Sequence, residues 1–256
     1  MRQRTGCPHG EAWHLRHLRR LRLPGLMRGG VSTAILFFLG CSSVQAQETD
    51  VSVGLSTGPI LRGLALGPEG ISAQMAASYY SAARWFVTLG ATTLRQPSDA
   101  PRTLQLTERV GYTWTLSSDW GAQLDYSHYA YPFASSLRPF EHDGVGATFA
   151  YRDLAFMSIA GLRKAHAGDD DDRWSFAYDL VGRHPLRPGL AMTAGGGYED
   201  RHRQSGFGYA YGHVGLEARV DAAQLEVSYI LTDNTAKARF GERASNRWTA
   251  SLRWSF

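Results

Sequence analysis

Cysteine is almost absent from this chain, which contains only two in 256 residues. Both of them, Cys7 and Cys41, lie within the first 46 residues. If that segment is a removable leader, the remaining chain contains no cysteine. Disulfide bonds and metal sites built from thiolates are then excluded from the mature protein.

Long hydrophobic runs are also missing. The nearest candidate, residues 31–39, is uncharged and mostly apolar, but a membrane-spanning helix needs about 20 apolar residues. From residue 51 onward no segment carries an apolar stripe with the 3.6-residue period of an amphipathic helix. The sequence therefore excludes a helical membrane protein and predicts little helix of any kind.

The short apolar run is typical of a secretory signal. Arginines precede it, and the sequence Val-Gln-Ala that ends at Ala46 has small residues at the two positions that a signal peptidase reads. We expect cleavage after Ala46, which makes residues 1–46 a leader and residues 47–256 a single mature domain. Met27 is an alternative start of the leader. Alternatively, Cys41 is lipidated, since the four residues that end there loosely resemble a lipobox.

An excess of positive charge is lacking once the leader is set aside. The whole chain has a formal net charge of +4, but residues 1–46 hold seven arginines and one glutamate. The remainder therefore has 20 basic and 22 acidic residues, a net charge of −2. The predicted mature chain lacks the basic surface typical of nucleic-acid-binding proteins, so we expect no nucleic-acid partner.

What the chain does contain is alternation of apolar and polar residues. In residues 248–256 every second residue is apolar, from Trp248 to Phe256, so an extended strand there has one apolar face and one polar face. Twelve segments follow or approach this pattern: residues 51–55, 71–79, 85–91, 104–116, 120–126, 145–151, 154–165, 174–180, 190–198, 214–220, 225–231 and 248–256.

The connections between these segments alternate in length. Short turns, with 184–189 the longest of them, alternate with longer polar or glycine-rich loops, among them 58–70, 132–143 and 233–245. This asymmetry is typical of bacterial outer-membrane barrels, which have short periplasmic turns and longer extracellular loops. We therefore predict an all-β fold: a transmembrane antiparallel up-and-down β-barrel of about 12 strands. A soluble barrel with an apolar core is the alternative.

The predicted location is the outer membrane of a Gram-negative bacterium, where lipid and lipopolysaccharide surround the barrel. The last strand, ending on Phe256, resembles the C-terminal strand of outer-membrane barrels, which implies recognition by the barrel-assembly machinery. Aromatic residues also fall in two sets that suggest the girdles at the two membrane interfaces. One set flanks the short turns and the other lies near the long loops: Tyr79, Tyr80, Trp85, Trp114, Trp120, Tyr151 and Phe156, and then Tyr129, Tyr131, Phe133 and Phe207.

Charged residues on the polar face of the strands are expected to point into the lumen, because an arginine facing lipid at the midplane costs about 2–4 kcal/mol. One residue does not fit: Glu108 falls on the apolar face, which a β-bulge or a one-residue error in register would explain. The candidate lumen-lining residues are Arg109, Asp125, Arg152, Asp179, Arg183, Glu199, Glu217, Arg219, Glu226 and Arg253.

These residues allow three functions. They line a channel for a small polar solute, or they pair and close a structural or adhesive barrel, since twelve strands lie between filled and open barrels. The third function is an outer-membrane hydrolase that uses loop pairs such as His142 with Asp143, or Asp200 with His202. No serine–histidine spacing resembles a hydrolase motif, so we expect no enzyme and no catalytic residue.

No cofactor or metal is expected either. His166 and the acidic run 169–172 resemble a calcium loop only in composition, and a solvated loop explains them better.

A family resemblance adds to this interpretation. The sequence Ile60-Leu61-Arg62-Gly63-Leu64, an alternating strand, a short turn into Trp85-Phe86-Val87 and the final Ser255-Phe256 resemble an uncharacterised proteobacterial barrel family (Gcw_chp-like). The resemblance implies an outer-membrane barrel and supplies no reaction or catalytic residue.

Overall fold

A computed structural model of the protein describes residues 46–95, 103–133, 141–164 and 173–256. Residues 1–45, with both cysteines and most of the predicted leader, lie outside this part of the chain, as do His166 and residues 169–172. The described residues form fourteen strands: β1 Ala46–Ser56, β2 Ile60–Leu61, β3 Leu64–Ala65, β4 Ser72–Ser81, β5 Trp85–Leu94, β6 Thr103–Thr115, β7 Trp120–Ala130, β8 His142–Tyr151, β9 Ala155–Lys164, β10 Ser175–Arg187, β11 Leu190–Asp200, β12 Gly208–Val220, β13 Ala223–Thr232 and β14 Arg247–Ser255.

Twelve of these strands close into one antiparallel barrel in which neighbours in sequence are neighbours in space. The strand β1 pairs on one side with β4 and on the other with β14, where Val53 lies opposite Trp254. The two short strands β2 and β3 form a separate hairpin between β1 and β4. The predicted twelve-stranded up-and-down barrel is confirmed.

The two ends of the barrel differ. At the end we call the turn end, strands are joined by two to four residues; at the other, the loop end, the connections are longer. The turn predicted at 184–189 is shorter than expected, because β10 continues through a bulge near Pro185 to Arg187. The loop end carries two short helices, α1 (His202–Ser205) and α2 (Asn234–Phe240), and a 3-10 helix, Gly241–Ala244. No helix in the described residues is long and apolar enough to cross a membrane.

Alternation places apolar side chains on the outer face and polar ones on the inner face. Large apolar residues such as Leu180, Leu216 and Val214 remain 62%, 50% and 44% exposed, whereas Gln105, Thr107 and Glu217 are buried inside the barrel. A soluble barrel with an apolar core is thereby ruled out, because its apolar side chains would point inward.

The pattern also holds at Glu108, where both predicted explanations are wrong. The register runs without a shift through the pairs of Glu108 with Leu89 and with His128. There is no bulge, and Glu108 lies on the outer face with Leu106 and Val110.

At the turn end the predicted aromatic set lies on the outer face only in part: Trp114 and Trp120 are exposed there, whereas Phe156 lines the lumen. Tyr79 contacts Trp85, and Trp120 contacts Tyr151, with ring centroids 5.2 and 5.0 Å apart. Near the loop end the prediction was wrong for three of its members. Tyr129 and Tyr131 are buried on the inner face, and Phe207 packs among the folded loops, because this end of the barrel has its own small apolar core.

Candidate functional site

The candidate site is the lumen, and its most prominent feature is the β2–β3 hairpin folded into it. Arg62 and Gly63 form the tip, with φ values of +50° and +78°, the left-handed pair that a two-residue hairpin turn of this type requires. A Cβ atom on Gly63 would lie 2.7 Å from Tyr211 Cβ and from Thr232 Cγ2. The hairpin tip therefore lies directly against the inner wall formed by β12 and β13.

Apolar packing at the loop end holds the hairpin in place. Leu64 of β3 packs with Tyr209, Ala236 and Ala244, all of them buried, and Phe240 packs against this cluster. The Arg243 side chain donates from Nε to the carbonyl oxygen of Ala65 at 3.0 Å. Helix α2, capped by Asp233, which accepts from the backbone N–H of Ala236, thus contributes to the anchor of the hairpin.

Arg62 brings a buried charge into the barrel. Its side chain is only 4% exposed, and its Nη1 lies 3.8 Å from Glu199 Oε2. Glu199 also accepts from the Tyr209 hydroxyl at 2.7 Å and lies 3.5 Å from Arg201 Nε. The hairpin tip is therefore held by charge as well as by packing.

Gly197 leaves space for an aromatic ring in the wall beside Arg62. Asp179 on β10, Gly197 on β11 and Tyr211 on β12 lie directly opposite one another. Since Gly197 has no side chain, the Tyr211 ring lies across β11 and donates its hydroxyl to Asp179 Oδ1 at 2.5 Å. A Cβ at Gly197 would lie 2.6 Å from that ring.

Two further groups of ion pairs line the inner face. Arg109 Nη2 lies 2.6 Å from Asp125 Oδ1 on the adjacent strand. Nearer the turn end, Glu217 is shared by Arg183 at 3.1 Å and Arg219 at 2.6 Å. Opposite charges are thus distributed along the whole lumen rather than separated into one acidic and one basic wall.

The hairpin divides the free space of the lumen. On its loop side lies a cavity of about 1160 Å³, and on its turn side one of about 310 Å³. Leu61 lines both cavities. Arg62 lines the smaller one, and so do six of the predicted lumen residues: Asp179, Arg183, Glu217, Arg219, Glu226 and Arg253.

The structure places the ten predicted residues as follows. Arg109 and Asp125 lie beside Arg62 in a narrow pocket of the wall, and Glu199 lines the loop-side cavity. Arg152 is the exception: it belongs to a short turn, is half-exposed and binds the Asp119 carboxylate of the adjacent turn at 2.9 Å. Hydrogen bonding to Asp119 raises the pKa of Arg152. The side chain lies at the turn end, not in the lumen, because the strand ends one residue before it.

The two proposed hydrolase pairs that lie in the described residues do not assemble into an active site. His142 and Asp143 are neighbours on β8 and point to opposite faces: His142 stacks on Tyr129 inside, and Asp143 contacts His128 outside at 2.7 Å. Asp200 and His202 do meet at 2.8 Å, but Asp200 also accepts from the backbone N–H of His202. That contact is a local turn at the start of α1.

Sequence reasoning missed Arg62 as a lumen residue, since it assigned 58–70 to an external loop. The signal was present. Apolar dipeptides flank Arg-Gly on both sides, a pattern that predicts a buried hairpin rather than a solvated loop.

No protein-family model matches this chain, and no curated protein sequence matches it. Among solved structures it is similar to the KdgM porin, with a TM-score of 0.50 and 6% identity over 81% of this chain and 99% of that one. It is also similar to the NanC porin, with a TM-score of 0.50 and 12% identity over 81% and 98% of the two chains. The fold is that of a porin barrel. At these identities the likeness describes the architecture alone.

Proposed function

We propose that the protein is an outer-membrane channel for small polar solutes, with the β2–β3 hairpin as the constriction. One observation carries the proposal: two cavities occupy the lumen, both have charged residues among their linings, and Leu61 of the hairpin lines both. The charged and polar side chains of the inner wall offer hydrogen bonds to a hydrated solute.

The location follows from the outer face. Exposed Val, Leu, Met and aromatic side chains cover it on strands all around the barrel, which suits lipid and would be unfavourable in water. Lipopolysaccharide contact, the action of the assembly machinery on Phe256, the leader and the Gcw_chp-like family remain predictions.

A closed barrel is the competing function, and a specific observation favours it. The hairpin tip is pressed against Tyr211 and Thr232, and Arg62 is held beside Glu199. If this packing leaves no path for ions, the hairpin is a plug and the barrel serves a structural role.

Single-channel conductance of the refolded protein in a planar bilayer tests the proposal. The unmodified protein should conduct, and replacing residues 60–65 by a glycine–serine linker of equal length should raise the conductance several-fold, because the constriction is lost. The same replacement of residues 202–205, which form α1 at the rim, is the matched control and should leave the conductance nearly unchanged.

Other outcomes separate the two functions. A silent unmodified protein whose hairpin-less variant conducts would show a plugged barrel. The channel would be refuted if neither the unmodified protein nor the variant conducts at either voltage polarity, while heat-modifiable migration on gels shows that both are folded.

A further inference from the structure

The outer face carries a row of ionisable residues where lipid-facing side chains are expected. Four adjacent strands, β6 to β9, contribute one residue each, and each residue lies directly opposite the next. We call these four residues the outer row: Glu108, His128, Asp143 and Arg163. Elsewhere this face presents apolar side chains, for example Val145, Ile159 and Leu124, which lie between the row and the turn end.

The outer row is an organised cluster rather than a set of stray charges. His128 Nδ1 lies 2.7 Å from Asp143 Oδ1, and the Tyr126 hydroxyl donates to the same oxygen at 2.6 Å. The Arg163 guanidinium lies 5.7 Å from the centre of the Trp174 ring. The row lies near the loop end, since Asp143 is the second residue of β8 and Arg163 is the last but one of β9. A charge on the lipid face costs about 0–1 kcal/mol near an interface, against about 2–4 kcal/mol at the midplane, so the row is tolerated there while a polar partner is preferred to lipid.

The order of the charges indicates which partner fits. From β6 to β9 the outer row reads acid, base, acid, base. Two copies inserted in the same direction are related by a two-fold axis along the membrane normal, which reverses the order on the facing wall. With the axis between His128 and Asp143, each His128 faces Asp143 of the second copy, and Glu108 lies on the same side as Arg163 of the second copy.

Barrel geometry agrees with the lengths of the side chains. Neighbouring strands lie about 4.8 Å apart, so the row is roughly 14 Å long. Barrel strands tilt by about 35–45°, so two facing rows cross at their centres. The shorter side chains, His128 and Asp143, occupy that crossing, and the longest, Arg163, lies at an edge, where two convex walls diverge.

We propose that the outer row is the centre of a homodimer interface. A lipid phosphate suits it less well, because two of the four side chains are carboxylates that repel an anion. The proposal requires the barrel to stand in a membrane but not to conduct, since a closed barrel would dimerise through the same wall.

Cysteine cross-linking in outer-membrane vesicles tests the interface, because the predicted mature chain, residues 47–256, carries no cysteine of its own. Val145→Cys, two residues from Asp143 on the same face, should give several-fold more disulfide-linked dimer than the control Val227→Cys. Val227 is similarly exposed, at 38% against 42%, but lies on β13 across the barrel. Adding Asp143→Arg to Val145→Cys should return cross-linking to the level of the control.

The mass of the detergent-extracted protein gives a second readout, and the dimer should have twice the monomer mass. Equal cross-linking at Val145→Cys and Val227→Cys, in variants that remain heat-modifiable and therefore folded, would overturn the proposal. So would a monomeric mass with bound lipopolysaccharide that is lost in Arg163→Ala, which would assign the row to a lipid headgroup.

Discussion

At the scale of single residues, the lumen is governed by how each charge is paired. Arg109 and Asp125 have side chains only 14% and 7% exposed and lie 2.6 Å apart, and the Arg109 guanidinium also lies 5.6 Å from the centre of the Phe86 ring. A pair this close contributes little net field to a passing ion, so removing one partner exposes the charge of the other.

Replacing Arg109 by glutamate should make the channel more selective for cations, because two carboxylates then face each other in the lumen wall. The loss of the buried pair costs about 3–5 kcal/mol of stability. The reversal potential under a salt gradient measures the selectivity. Arg187→Glu, at the exposed turn end of β10, is the control and should shift it little; an equal shift in both variants would contradict a local role of Arg109.

At the scale of elements, the β2–β3 hairpin and helix α2 act together. Two paired strands of two residues each are not stable alone. The hairpin is stabilised by the packing of Leu64 in the apolar cluster at the loop end and by the hydrogen bond from Arg243. This packing holds the hairpin against the wall.

Gly63→Ala should displace the hairpin tip. Its new methyl group would lie 2.7 Å from Tyr211 and Thr232, so the tip must move away from the wall and the conductance should change. Gly206→Ala is the matched control: its φ of +77° carries the same backbone strain of about 1–2 kcal/mol, but nothing lies within 4 Å of the added methyl. If the two variants conduct alike, the tip does not set the passage.

At the scale of the whole molecule, the barrel is complete only when its first and last strands meet. The register of β1 with β14 covers Ser52–Ser56, whereas β1 with β4 extends from Ala46 to Ser56. Phe256 extends the pairing of β14 with β1, since its backbone N–H donates to the Val51 carbonyl at 2.8 Å. Phe256 itself remains 75% exposed.

Phe256→Ala should lower the amount of folded protein in the outer membrane several-fold, if the exposed ring is what the assembly machinery recognises. The backbone hydrogen bond survives the change, so the stability of barrel already folded should be nearly unchanged. Phe133→Ala, equally exposed at 76% but at the loop end, is the control. The amount of heat-modifiable protein in isolated outer membranes measures the effect of each substitution. Equal losses in the two variants would argue against recognition of the terminal ring.

Much of this architecture could be predicted from the sequence because strand alternation is a local property. The terminal strand was predicted from every second residue between Trp248 and Phe256, and the structure places Trp248 and Trp254 on the outer face. The strand count and the inward position of Arg109 follow from the same period of two, which needs no knowledge of distant contacts.

The arrangements across strands were decided only by the tertiary structure. Glu108 follows the period and faces outward, and only the register between strands brings it into one row with His128, Asp143 and Arg163. Arg62 lies in the lumen because a loop folds inward onto residues more than 140 positions later in the chain, such as Tyr211 and Thr232. Local alternation determined which face each residue takes; closure of the barrel determined which residues meet.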